Sequence, residues 1–303
     1  MRSRIVGILF VLALALWLVW NIFRKSETPL TQVNVVIDGD PVIVASWQRE
    51  QDRLVIVTIP ASFAALAVHG LGTYPIRSLW QLGTIQGSSG LVLSQSLEEL
   101  LALPIPWYIG EIPENSNINA VSRLQNVFSF QTLPAIVTGR IKTNIPIVKF
   151  IGLAWWRLFA RSDRTIEIPL GASAATEEPQ PDGTLLWLVS TEAVDTVLGD
   201  TFEEQDARGE KLTVAVYNTT TTSGLAERVA RIIDRIGGNV VRIGNEEVTI
   251  ERCQIRANGD HLNTTTSRML ASIFTCDRVL QVGNSYADVI VAVGSGYESR
   301  FVP

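Results

Sequence analysis

Asp38 and Asp40, in the run Asp38-Gly-Asp40-Pro, are the first side chains along the sequence whose type and spacing could do chemistry. A carboxylate pair beside strand ends can hold Mg²⁺, a hard cation that takes oxygen ligands. Asp-Gly-Asp-Pro is first of all the composition of a tight turn, in which such carboxylates serve the backbone. Nucleophilic catalysis needs a base within reach, and the only histidines, His69 and His261, stand far apart with no recognisable nucleophile context. No hydrolase triad is legible. The run Asn218-Thr-Thr-Thr-Thr-Ser-Gly224 enters a helical pattern, where free N–H groups and the helix dipole favour an anion. Asn218, Thr219, Ser223 and Gly224 are therefore a candidate binding loop, although capping and turn chemistry, the usual role of Ser and Thr at a helix entry, is the favoured reading over anion or glycan binding. The loop lacks the glycine spacing of a dinucleotide fingerprint and the lysine of a P-loop. Cys253 and Cys276 are the only cysteines. Outside the cytoplasm they can form a disulfide worth about 3 kcal/mol in the chain-entropy model; the alternative is two buried free thiols. Two cysteines and two distant histidines lack zinc-ligand spacing.

These residues need elements to position them, and 303 residues are enough for two domains beyond any membrane segment. Ile5 to Phe23 is an apolar run interrupted only by Gly7 and Asn21, long enough to span a bilayer. Trp17, Trp20 and Phe23 stand where a signal peptidase would need small residues, so the run is expected to be a retained anchor. Arg2 and Arg4 before it and Arg24 and Lys25 after it barely bias its orientation. Alternating or continuous apolar residues predict strands over Val33–Ile37, Val42–Trp47 and Leu54–Ile59. Leu93, Leu97, Leu100 and Leu101 mark one helix, and Ile76, Leu79 and Trp80 another, both packing on that sheet. Ile147–Phe159 is a third, with Val148, Ile151, Trp155 and Leu158 at spacings of three and four and Trp155 and Trp156 expected in the core. Gly171–Gly183 reads as a solvated loop, and Leu185–Val189 with Ala193–Leu198 closes the domain. The clearest pattern follows: strand Leu212–Tyr217, amphipathic helix Ser223–Ile236 with Ser223 as N-cap, Gly237-Gly238, and strand Asn239–Ile243. A helix near Thr264–Phe274 and a strand at Asp288–Val293 complete a small α/β layer. A net charge of −5 excludes nonspecific nucleic-acid binding, which needs excess Lys and Arg to neutralise phosphates.

Leu212 to Gly294 resembles the LytR C-terminal domain, carrying a strand ending Val-Tyr-Asn, a Gly-Leu-Ala helix, a Gly-Gly-Asn-Val-Val strand and Ala-Asp-Val-Ile-Val-Ala-Val-Gly. The preceding region resembles the catalytic domain of the LytR-CpsA-Psr family, through Asp40 to Phe63, Ser88 to Ile109, Lys142-Thr-Asn144 and Glu167-Ile-Pro-Leu170. That resemblance implies membrane-anchored transferases that move polymers from a polyprenyl-pyrophosphate lipid to the cell wall, gripping pyrophosphate with arginines and holding Mg²⁺ with acids. Here the arginine position reads Ala61 and the adjacent acid Ser62, while Asp40 survives as a metal ligand with Asp38 near it. Between Gly110 and Gly139 the only basic residue is Arg123. Arg77 and Arg140 are the remaining candidates for pyrophosphate binding.

The fold class expected is thus α/β: an N-terminal transmembrane helix, a mixed-sheet domain like the LytR-CpsA-Psr one, and a small C-terminal α/β domain. The divisions are 1–25 anchor, 26–31 tether, 32–201 first domain, 202–211 linker and 212–303 C-terminal domain. The expected function is that of a noncatalytic, extracytoplasmic cell-envelope binder or scaffold in the cell membrane, with no cofactor. Its expected partners are membrane lipid through the helix and wall polymer or an envelope protein, with no nucleic acid. The alternatives are an active Mg²⁺-dependent phosphotransferase and a cytoplasm-facing regulator.

Overall fold

Val- and Ile-rich stretches buried on both faces form the central strands of the first sheet: β1 (Gln32–Ile37), β2 (Val42–Gln48) and β3 (Arg53–Ile59). The computed structural model describes residues 32–112, 119–159, 162–179, 183, 185–281, 283 and 285–300. The expected anchor and tether, 1–31, lie outside the described residues. No helix among the described residues is long and apolar enough to cross a membrane.

The first domain continues through β4 (Phe63–Ala67), β5 (Gly72–Pro75), α1 (Ile76–Ile85), α2 (Leu91–Leu101), β6 (Trp107–Gly110), α3 (Ala120–Val127) and α4 (Leu133–Val137). It is completed by β7 (Lys142–Thr143), α5 (Ile147–Phe159), β8 (Thr165–Pro169), β9 (Ala175–Pro179), β10 (Leu185–Val189) and α6 (Thr191–Leu198). The main sheet has the order β7-β6-β1-β2-β3-β8, and a smaller one the order β5-β4-β10-β9. Strands β1, β3, β6 and β8 run in one direction, so their carboxyl ends share one edge of the sheet. Helices α1 and α2 cover one face, where Leu79, Leu93 and Leu97 meet Val36, Val44 and Val57. On the other face α3 and α5 bring Leu124 and Phe150 onto Val35, Ile43 and Ile56.

The C-terminal part comprises α7 (Gln205–Glu210), β11 (Thr213–Asn218), α8 (Leu225–Arg235), β12 (Asn239–Asn245), β13 (Gln254–Ala257), α9 (Thr265–Ile273), β14 (Asp277–Leu280), β15 (Val289–Val293) and α10 (Ser295–Glu298). Its sheet order is β12-β11-β15-β13-β14. The stripe Leu225, Val229, Ile232, Ile233 and Ile236 is fully buried against Val214, Val216 and Val291, as amphipathic spacing requires. Cys253 and Cys276 are joined in a disulfide.

Four local expectations are corrected. Trp155 is 58 % exposed, because the inner stripe of α5 runs through Phe150, Leu153 and Ala154 and the next residue turns about 100° onward. Trp156 makes the core contact, edge-to-face with Trp47 at 6.4 Å. Within Gly171–Gly183 lies the edge strand β9, whose Glu177 and Glu178 are exposed and mask its pairing with β10. The stretch read as a linker contains α7; Phe202 belongs to the first core and Ala207 to the second. The N-cap of α8 is Gly224, left-handed at φ 77° with no side-chain cap bond, in place of Ser223.

Candidate functional site

The carboxyl ends of β1, β3, β6 and β8 bring the sequence candidates to one edge, where open α/β sheets generally bind ligands. The turn from β1 to β2 stands there. Its Asp38 N–H donates to Ile109 O at 3.0 Å, which ties it to the end of β6. Arg123 reaches in from α3 and donates to Pro41 O at 2.8 Å and to Asp38 O. Its guanidinium fills the space where Gly39, at φ 143°, would carry a Cβ. The turn is therefore built around an arginine.

Asp40 is exposed, and its Oδ1 accepts a 3.4 Å bond from the N–H of Ala61, which is buried just beyond β3. Ala61 O accepts from Arg77 N at 3.0 Å, so the start of α1 is chained to Asp40 through two successive hydrogen bonds. Arg77 itself is exposed, as is Ser62. Arg140 is also exposed and precedes β7, whose Lys142 pairs with Gly110 at the same edge. The structure thus joins the Asp38–Pro41 turn to the backbone of Arg77 through Ala61, and sets Arg140 two residues before Lys142, to which the sequence reading gave no role of its own.

A Mg²⁺ ion takes near-octahedral oxygen ligands, often one or two carboxylates completed by phosphate and water. Among the described residues no group of three or more His, Cys, Asp or Glu could hold a metal. Asp38 and Asp40 do not by themselves complete such a shell, and two carbonyls of their turn are occupied by Arg123.

The C-terminal loop is closed on itself. Asn218 Oδ1 accepts from Thr220 N and Thr220 Oγ1, both at 2.9 Å, and its Nδ2 donates to Thr222 O at 2.7 Å. Thr219 Oγ1 donates to Val293 O, and Thr222 Oγ1 donates to the Glu298 carboxylate at 2.6 Å. Ser223 and Gly224 are exposed. These bonds, with an acid alongside, favour turn chemistry over anion capture.

A concavity of about 520 Å³ opens where the two domains meet, between Leu66, Leu100 and Leu188 on one side and Arg228 and Arg231 on the other. Arg231 donates to Asp195 Oδ2 at 2.7 Å and to the carbonyls of Glu99 and Leu100 at 2.6 and 2.8 Å. Glu99 also accepts the Tyr297 hydroxyl at 2.9 Å. Burial, with Glu98 alongside, pushes the Glu99 carboxyl up to about 7.

Residues 211–297 match the family LytR_C, described as LytR cell envelope-related transcriptional attenuator. No curated protein matches the chain. Among solved structures it resembles the transcriptional regulator yvhJ from Bacillus subtilis, at 10% identity over 55% of this chain and 94% of that one, with TM-score 0.41. Bacillus subtilis TagV gives 10% identity, the same coverage and TM-score 0.40. The LytR-CPS2A-psr family protein YwtF (TagT) with bound octaprenyl pyrophosphate lipid gives 14% identity, 57% and 90% coverage and TM-score 0.38. The sequence match is to the smaller, C-terminal part, and there the strand–helix–strand pattern and the family agree: residues 211–297 form a LytR_C domain.

Proposed function

We propose that the chain is a noncatalytic cell-envelope protein, anchored in the cell membrane by residues 1–25, whose C-terminal domain contacts wall polymer or another envelope protein outside the cytoplasm. One observation carries this reading: Arg123, the only basic residue between Gly110 and Gly139, commits its guanidinium to the carbonyls of the Asp38–Pro41 turn. Ala61 is buried where the family resemblance implies an arginine. A diphosphate at this edge would meet no guanidinium from position 61 and only one committed to backbone carbonyls at Arg123, and phosphoryl transfer depends mainly on such charge offset.

The test uses the full chain in detergent with a polyprenyl-pyrophosphate-linked glycan and Mg²⁺. Product release should stay at the protein-free level. Mg²⁺-dependent turnover that falls with Asp40→Asn would overturn the reading. A reporter fused after Pro303 tests location, and activity only in the form that works in the cytoplasm would sink the envelope placement.

The chain of bonds from Asp40 through Ala61 to Arg77 favours a second reading, a phosphotransferase that moves polymer from polyprenyl pyrophosphate to the wall. It requires Mg²⁺, and Arg77→Ala would then abolish turnover. In that reading Arg77 replaces the absent arginine from a neighbouring element.

A further inference from the structure

The helices of the C-terminal domain crowd one face of its sheet, where α8 and α9 pack with Val214, Val216, Ile255, Val289 and Val291. Strand alternation turns the intervening residues to the other face. There Arg242 lies beside Ala215, and Gly244 beside Tyr217. The Arg242 guanidinium stands 5.2 Å from the ring centre of Tyr286 and 6.0 Å from that of Tyr217, so one cation bridges two aromatic rings. Gly244 makes room for this: a Cβ there would lie 3.1 Å from the Tyr217 ring. Tyr286 is 87 % exposed, and Arg242 is exposed and forms no ion pair among the described residues.

We propose that Tyr217, Arg242 and Tyr286 form a contact surface for an anionic glycan chain. The inference rests on the wall-contact role given above and names the surface that performs it. The electron-rich face of a tyrosine ring attracts the C–H-rich face of a pyranose, as it does other positively polarised edges. Tyrosine hydroxyls and guanidinium N–H groups supply hydrogen bonds to sugar oxygens. A cation held between two neutral rings selects phosphate- or carboxylate-bearing chains over neutral ones, because a charge-assisted bond is roughly twice as strong as a neutral one. Ala215 and Gly244 put small groups beside Arg242 and Tyr217, and farther across the same face Arg256 is paired with Glu246, which leaves Arg242 as the cation without an ion-pair partner there among the described residues. A protein strand pairing with the edge of β12 fits less well. The register between β11 and β12 shifts at Val214 and Ala215, and a bulge with a mid-strand charge discourages edge pairing.

The experiment measures co-sedimentation of the full chain, in detergent, with protease-treated wall sacculi. One preparation retains its phosphate-bearing glycopolymer and the other has been acid-extracted. The double variant Tyr217→Ala/Tyr286→Ala should bind the first preparation about tenfold more weakly. Arg242→Gln should lose several-fold and show a flatter salt dependence, while Tyr217→Phe, which keeps the ring and gives up only its hydroxyl, should lose less than Tyr217→Ala. Extraction should weaken the wild type and leave Arg242→Gln little changed. If the double variant, with an unchanged circular dichroism spectrum, or Tyr286→Ala/Arg242→Gln binds like the wild type, this surface is wrong. Binding unaffected by extraction removes the anionic ligand, and loss of binding on protease treatment alone points to a protein partner; either result overturns the proposal. If the wild type sediments with neither preparation, the wall-polymer role itself fails, an outcome distinct from failure of this surface.

Discussion

Arg123 donates to carbonyls that lie 82 and 85 residues earlier in the chain, and the guanidinium occupies the volume that any side chain at position 39 would need. Arg123→Ala leaves the carbonyls of Asp38 and Pro41 without their partner and should cost about 1–3 kcal/mol. Gly39→Ala adds a positive-φ penalty to a collision with the guanidinium and should cost more than about 1 kcal/mol. Because the two residues share one contact, the double variant should be less destabilised than the sum of the singles, as read from urea unfolding midpoints. Additive effects would show that the contact does not couple them. At this scale the sequence revealed the turn but not its filling. Asp-Gly-Asp-Pro announces a turn through local chemistry, whereas Arg123 sits in a weakly patterned segment and acts only through long-range contact. Lys142 was noted only as part of a family stretch and given no role for the same reason, since only the pairing of β6 with β7 brings it to the site edge.

Helix α9 begins on a carboxylate borrowed from α7. Glu210 accepts from Thr265 N at 2.7 Å and from Thr266 N and Oγ1 at 2.8 and 2.6 Å, in addition to the local cap by Thr264. Burial pushes the Glu210 carboxyl up, but the bonds from Thr266 and Thr265 outweigh it and hold the group below its ordinary value. A carboxyl depressed in the folded state stabilises above its unfolded pKa, and that contribution is lost as pH falls through the folded value. Glu210→Ala should therefore cost about 1–2 kcal/mol at neutral pH and progressively less in acid, measured by denaturation at several pH values. An equal cost at all pH values would count against the cap. Elements with strong periodicity were legible: α5 falls on the predicted Ile147–Phe159, and the β11–α8–β12 unit lies within about two residues of expectation. The β4–β5 hairpin was not, because Phe-Ala-Ala-Leu-Ala has neither alternation nor β-branching to mark a strand. The loop Asn218–Gly224 was located correctly, but its internal bonding depends on Glu298 and Val293, far along the chain.

The two domains meet across charged groups that are largely out of water. Arg231 and Arg235 both engage Asp195, and Arg300 with Tyr297 returns to Glu98 and Glu99 on α2. With Glu99 raised from 4.5 to about 7, its contribution to stability is fully present below about pH 4.5 and is lost as pH rises through about 7. The full effect is on the order of 3 kcal/mol. Glu99→Gln keeps an acceptor for Tyr297 and should flatten the loss of stability between pH 5 and 8, while leaving the variant more stable than wild type at pH 8. Parallel pH profiles for the two proteins would rule out Glu99 as the titrating group. Composition and length pointed to two units, but nothing local in the sequence shows that residues near position 300 complete a surface near position 98.

That return has a consequence for the order of events during biosynthesis. His69 N donates to Arg300 O at 2.6 Å, and Arg300 pairs with Glu98, so groups made early take further partners from groups made much later. While the polypeptide is still emerging, Glu98 lacks its Arg300 cation and Glu99 the hydrogen bond from Tyr297. That share of the seam forms only after Tyr297 and Arg300 have been made, whereas the bonds of Arg231 and Arg235 to Asp195 can form before them.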